Sequence, residues 1–73
     1  MTITPEALWS FIESSRRATG RVPQLDACVE HFGDRKLNVL MCLGELSPAR
    51  KDAIRQAVRD QAQADARRRG QRA

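Results

Sequence analysis

The feature of this sequence that most constrains its fold is Gly33, a glycine between two short runs with helical periodicity. A glycine there lets the backbone take a left-handed conformation that costs little only without a Cβ atom. Before it, Cys28 and Phe32 lie four residues apart, and after it Val39 and Cys42 lie three apart, so each pair shares one side of its helix. The spacing predicts a helix-turn-helix unit whose two helices share one core.

Start and stop signals predict four helices. Thr4-Pro5 and Ser47-Pro48 each combine an N-cap residue with a proline at the first helical position, and Gly20 suits a left-handed C-cap. The predicted helices run over 4–19, 24–32, 35–46 and from 48 to about 62, after a loose lead-in over 1–3. No basic hairpin follows the third helix. The expected fold is therefore all-α and compact, with three to four helices, a helix-turn-helix and no clear β-wing.

Charge divides the 73 residues unevenly along the chain. Residues 1–46 carry five Lys/Arg against six Asp/Glu, whereas residues 47–73 carry eight against three. We expect a helical domain over 1–62 and a basic tail or linker over 63–73 that is frayed or disordered, because little apolar surface remains there to bury. Such a tail would attract phosphates, or it would simply be a solvated helix end.

Several segments of residues 4–46 resemble the N-terminal DNA-binding domain of LexA-type repressors. The matching segments are Thr4-Pro5 at the first helix, Thr19-Gly20-Arg21-Val22-Pro23 as a link, Phe32-Gly33 as the turn, and Leu43 with Leu46 closing the second half. The resemblance implies double-stranded DNA as the partner, with helix 35–46 inserted into the major groove. It implies no catalysis, because the self-cleaving domain of that family has no counterpart in this sequence.

Two sets of residues are candidates for DNA contact. The first opens the predicted recognition helix, where Arg pairs naturally with guanine and Asn with adenine. The second flanks that helix and would bind phosphates or offer N-terminal helix amides, fixing the register without reading bases. The first set is Arg35, Lys36 and Asn38, and the second is Arg21, Gln24, Arg50 and Lys51.

We expect no enzyme, cofactor, metal or small-molecule substrate. Cys28, His31 and Cys42 supply three potential zinc ligands, but a structural zinc needs four in recognisable pairs. No signal peptide or membrane span is recognisable. The two cysteines are expected to be free thiols, which is typical of proteins in the reducing cytoplasm. The leading hypothesis is a small bacterial, plasmid or phage transcriptional regulator or DNA-maintenance factor, acting as a homodimer or side by side on repeated sites.

A competing hypothesis starts from a second apolar face on the third helix. Leu37, Leu40 and Met41 lie at helical spacing, on positions where DNA readers are commonly polar. A surface helix of a single domain needs only one apolar face, so the second face needs a partner. That partner is helix four, another subunit or a bound protein. In this hypothesis the chain is a protein-interaction module or inhibitor that binds through this face, and the hypothesis loses its main support if the face packs under helix four.

Overall fold

The computed structural model describes residues 3–70, which form four α-helices and, in that range, no strand. The helices are α1 (Pro5–Thr19), α2 (Leu25–Phe32), α3 (Lys36–Gly44) and α4 (Pro48–Gly70). The prediction of an all-α domain without a β-wing is confirmed.

Local signals place the starts of α1 and α4 and the ends of α1 and α2 as predicted. The Thr4 hydroxyl accepts from the amide of Ala7 at 3.1 Å, and the Ser47 hydroxyl accepts from the amide of Arg50 at 3.3 Å, so each caps its helix. Gly20 and Gly33 take left-handed conformations, with φ of 73° and 61°, and close α1 and α2. The turn at Gly33 therefore joins α2 to α3 as the spacing predicts.

The core lies where α3 packs between α1 and α2. Its buried side chains include the predicted inner faces of the helices: Leu8 and Ile12 of α1, Cys28 of α2, and Val39 and Cys42 of α3. α3 ends at Gly44, two residues before the predicted end. Leu46, in the connection to α4, is buried as well. The apolar positions three and four residues apart thus locate the core correctly.

The predicted loose lead-in over 1–3 is wrong for Ile3, which is buried in the core. Its amide donates to Oδ2 of Asp34 at 3.0 Å, and its carbonyl accepts from Sγ of Cys42 at 3.5 Å. These two bonds tie the start of the chain to the turn and to α3. Met1 and Thr2 lie outside the described residues.

The predicted change to a frayed tail at residue 63 is not seen over 63–70, which continue α4 to Gly70. Arg and Ala dominate this segment and have high helix propensity. The side chain of Gln61 also accepts from the amide of Val22 at 2.9 Å, which attaches α4 to the link after α1. Residues 71–73 of the predicted tail lie outside the described residues. α4 has no buried residue, and Val58 is 47% exposed.

Candidate functional site

The outer face of α3 is an exposed apolar surface. Leu37, Leu40 and Met41 are 66%, 43% and 56% exposed, and their spacing of three and four residues puts them on one side of the helix. We call these three residues the apolar stripe. α4 leaves the stripe uncovered, so the structure brings the three predicted interface residues together on an open surface.

A groove of about 340 Å³ lies beside the stripe, between α3 and α4. Apolar side chains from both helices and the backbone of Gly44 form its floor, and two cations from α4 stand at its edge. We call it the α3–α4 groove, lined by Leu40, Leu43, Gly44, Lys51, Ile54 and Arg55. Leu40 belongs to the stripe and to the groove, which makes the two one continuous surface.

Gly44 lies in this groove without a structural need for glycine. Its φ is not positive, and a Cβ atom placed on it would meet nothing within 4 Å. Glycine in a helix costs about 1 kcal/mol relative to alanine. Because Gly44 neither turns the chain nor relieves a clash, the open space beside it lets another molecule approach the backbone closely.

Two of the predicted phosphate-binding arginines are engaged within the chain. Nη1 and Nη2 of Arg21 donate to both carboxylate oxygens of Asp65, at 3.1 and 2.9 Å. The hydrogen bonds from Arg21 hold the pKa of Asp65 below its ordinary value, and those to Asp65 raise the pKa of Arg21. Arg50 donates to Glu6 at 2.6 Å, and its guanidinium carbon lies 5.2 Å from the ring centre of Trp9. Both arginines therefore attach other parts of the chain to α4.

Asn38, which was predicted to read a base, is also hydrogen-bonded within the chain. Nδ2 of Asn38 donates to Oδ1 of Asp34 at 2.8 Å, and the same oxygen accepts from the amide of Arg35 at 2.7 Å. Hydrogen bonds from the amide of Ile3, from Asn38 and from the amide of Arg35 lower the pKa of Asp34. Sequence reasoning missed Asp34. The available signal was an Asp just before a helix with an Asn four residues later.

The remaining predicted DNA-contacting residues are Gln24, Arg35, Lys36 and Lys51, none of which makes a side-chain hydrogen bond or ion pair within residues 3–70. Gln24 and Arg35 immediately precede α2 and α3, and neither side chain caps its helix. Lys36 is exposed and Lys51 is half-buried. Arg35 and Lys36 thus lie at the start of α3 and Lys51 lies in the α3–α4 groove, with no side-chain partner within the described residues.

The three potential zinc ligands do not share a surface. Cys28 and Cys42 are buried, and burial raises the pKa of both thiols. His31 is exposed, and its ring stacks on Phe11 with 4.0 Å between ring centres while meeting Phe32 edge-on. Within residues 3–70 no three His, Cys, Asp or Glu side chains are grouped so that they could hold a metal ion.

Comparison with known proteins finds no matching family model, no matching curated protein and no matching solved structure. Over residues 3–70, no helix is both long enough and apolar enough to cross a membrane. Function is therefore inferred from the side chains of this chain alone, and the apolar stripe with its neighbouring groove is their most distinctive arrangement.

Proposed function

We propose that the protein is a small protein-docking module that binds its partner through the apolar stripe of α3. The observation that carries the proposal is the exposure of Leu37, Leu40 and Met41 on one helix face. Contiguous exposed apolar surface on a small domain is typical of interaction sites, because exposure of such side chains to water is unfavourable until a partner covers them. The proposed place of action is the cytoplasm, where both buried cysteines stay reduced.

The composition of the outer face of α3 favours a protein over DNA as the partner. Bases are read by hydrogen-bonding side chains such as Arg, Asn and Gln, whereas leucine and methionine offer only apolar contact. Large apolar side chains are instead the usual anchors of a helix that docks against another protein. The stripe supplies three such anchors at helical spacings of three and four residues. The side-chain amide of Asn38, the predicted base reader, is hydrogen-bonded to Asp34.

Site-specific photo-crosslinking in the cells that produce the protein tests this proposal. A benzophenone amino acid replaces Leu37, and a control chain carries it at Ala18, an exposed position on α1. A second pair of chains also carries Met41→Asp. We expect a discrete protein adduct from position 37 that disappears with Met41→Asp and is absent from position 18. Adducts with nucleic acid, or equal adducts from both positions, would contradict the docking proposal.

DNA binding is the second candidate function, and the observation that favours it is the pair of exposed cations at the start of α3. Arg35 and Lys36 follow the Gly33 turn and make no ion pair within residues 3–70. A helix start after such a turn is the part of a helix-turn-helix unit that enters the major groove. In this alternative the chain is a transcriptional regulator or DNA-maintenance factor, acting as a dimer or side by side on repeated sites.

Titration against pooled random duplexes at two salt concentrations, with sequencing of the retained DNA, tests the second candidate. Sequence-specific binding leaves an enriched motif at the higher salt, whereas general attraction to phosphates is lost there. The double variant Arg35→Ala/Lys36→Ala should lose the motif. Its matched control is Arg16→Ala/Arg17→Ala, which removes the same charge from the exposed end of α1. Equal DNA binding by the two double variants would show that Arg35 and Lys36 do not contact the DNA.

A further inference from the structure

The side chains that line the α3–α4 groove suit contact with a helix of another protein. It runs between two helices, and its floor is made of Leu40 and Leu43 from α3 and Ile54 from α4. From the groove and its charges we infer that the docking partner presents an acidic amphipathic helix. This inference rests on the proposed docking function and specifies its ligand.

Gly44 allows the close approach that a packed helix requires. Interhelical distances of about 8 to 10 Å are common, and small residues at the contact point permit the shorter ones. The position of a Cβ atom on Gly44 is open space, so an incoming apolar side chain can rest directly on the α3 backbone. The helix that enters would present apolar residues at spacings of three and four, as helix-in-groove ligands do.

The charge at the edge of the groove specifies an acidic helix. Lys51 and Arg55 line the groove from α4, and Lys36 lies one turn before Leu40 on the same side of α3. Lys36 and Lys51 make no ion pair within residues 3–70, and Arg55 meets only the well-exposed Asp52, at 3.2 Å. Glu or Asp side chains flanking an apolar helix face would neutralise these cations, whereas basic side chains would be repelled.

The same charges disfavour two other occupants. A second copy of this chain that docked by the same face would bring the same cations to the groove, in a protein whose formal net charge is already +4. A DNA duplex would satisfy the cations through its phosphates but would leave Leu40 and Met41 without an apolar partner. An acidic amphipathic helix is the ligand that meets both the apolar floor and the basic edge.

Fluorescence anisotropy with defined peptides tests the inference on the full chain. The probe is a labelled, covalently stapled helical peptide with leucines along one face and glutamates on the flanks. A second peptide has lysine in place of every glutamate, a third has glutamine in place of every leucine, and a random-sequence DNA duplex is the fourth probe. We expect the acidic leucine peptide to bind best, with affinity that falls as salt is raised.

Two charge-reversal variants with equal net charge locate the binding. Lys51→Glu/Arg55→Glu reverses the edge of the groove, while Arg67→Glu/Arg68→Glu reverses two exposed cations near the end of α4. The groove variant should weaken binding of the acidic peptide by roughly tenfold and improve binding of the lysine peptide, as expected for two flanking charge pairs. Arg67→Glu/Arg68→Glu should change neither the affinity for the acidic peptide nor the affinity for the lysine peptide.

The outcomes separate failure of this inference from failure of the proposed function. If the lysine peptide binds as well as the acidic one, and Met41→Asp abolishes both, docking stands and the inferred charge of the ligand is wrong. If both double variants weaken the acidic peptide equally, binding reflects general electrostatics and the groove is not its site. If only the duplex binds, the docking function itself is overturned.

Discussion

The guanidinium of Arg21 and the carboxylate of Asp65 form a two-point ion pair between the link after α1 and the second half of α4, with N to O distances of 3.1 and 2.9 Å. Parallel bonds between a planar guanidinium and a carboxylate define an orientation as well as a contact. The pair lies one helical turn beyond the contact of Gln61 with the amide of Val22. Together they hold a polar helix that buries no residue of its own.

Loss of this pair should loosen the end of α4 without disturbing the core. In Asp65→Asn we expect several-fold faster amide hydrogen exchange over 62–70, while amides of α1 and α3 near Leu8 and Val39 stay protected. Asp60→Asn is the control, because the side-chain hydrogen bond of Asp60 is with Gln56 on its own helix. Equal acceleration in both variants would mean that helix propensity, not the Arg21 contact, maintains the end of α4.

The low pKa of Asp34 predicts a loss of stability in acid. Its folded pKa lies below the ordinary value of 3.8 because the amide of Ile3, the side chain of Asn38 and the amide of Arg35 donate to its carboxylate. A group with a lowered folded pKa stabilises the fold above its unfolded pKa, and that contribution is lost as pH falls through the folded pKa. The melting temperature should therefore drop below about pH 4.

Asp34→Asn provides the control for this pH dependence. Its amide cannot carry the carboxylate charge, so this variant should be less stable at neutral pH and should lose less on acidification. Thermal melts by circular dichroism from about pH 6 to 2 measure both quantities. If the melting temperatures of the parent chain and of Asp34→Asn fall in parallel as the pH is lowered, other carboxylates cause the loss of stability in acid.

The backbone plan could be predicted from the sequence because it depends on local chemistry. N-caps at Thr4 and Ser47 and left-handed glycines at Gly20 and Gly33 act within a few residues, and they mark the helix ends wherever the rest of the chain lies. The periodicity of Cys28, Val39 and their neighbours likewise reports which side of a helix is buried.

The site was only partly predictable because it depends on contacts between distant residues. The positions of Leu37, Leu40 and Met41 indicated a second apolar face, but only packing decides whether α4 covers it. The partners of Arg21 and Arg50 are each 44 residues away in sequence. A basic residue that looks available for phosphate in the sequence can therefore be bound to a carboxylate in the fold. Ile3 became part of the core for the same reason, through Asp34.

Alanine at two glycines of the α2–α3 unit should have opposite effects on stability. Gly33 has a φ of 61°, so Gly33→Ala forces a Cβ atom into a left-handed backbone and should cost about 1 to 2 kcal/mol. Gly44 is the last residue of α3 and has open space at its Cβ position, so Gly44→Ala should stabilise by about 0.4 to 1 kcal/mol. Urea denaturation measures both free energies of unfolding. A loss in both variants would mean that Gly44 has a structural role that open space does not explain.

Truncation of two leucines should distinguish the core from the apolar stripe. Leu8 is 1% exposed and Leu37 is 66% exposed. Leu8→Ala removes buried methyl groups and leaves a cavity, a change that costs about 2 to 5 kcal/mol. Because a domain of this size has only about 3 to 5 kcal/mol in total, Leu8→Ala should be largely unfolded. Leu37→Ala should stay within about 0.5 kcal/mol of the parent chain.

The two variants are compared by urea denaturation at several protein concentrations, with Leu8→Met as a volume-conserving control that should cost less than about 1.5 kcal/mol. If the stripe is uncovered, the free energies of unfolding of the parent chain and of Leu37→Ala are both independent of protein concentration. If Leu37→Ala instead costs as much as a core truncation and the cost grows with concentration, the stripe is buried between copies of the chain in solution. The docking surface would then be an interface of a homodimer, and a foreign helix would have to displace the second copy to bind.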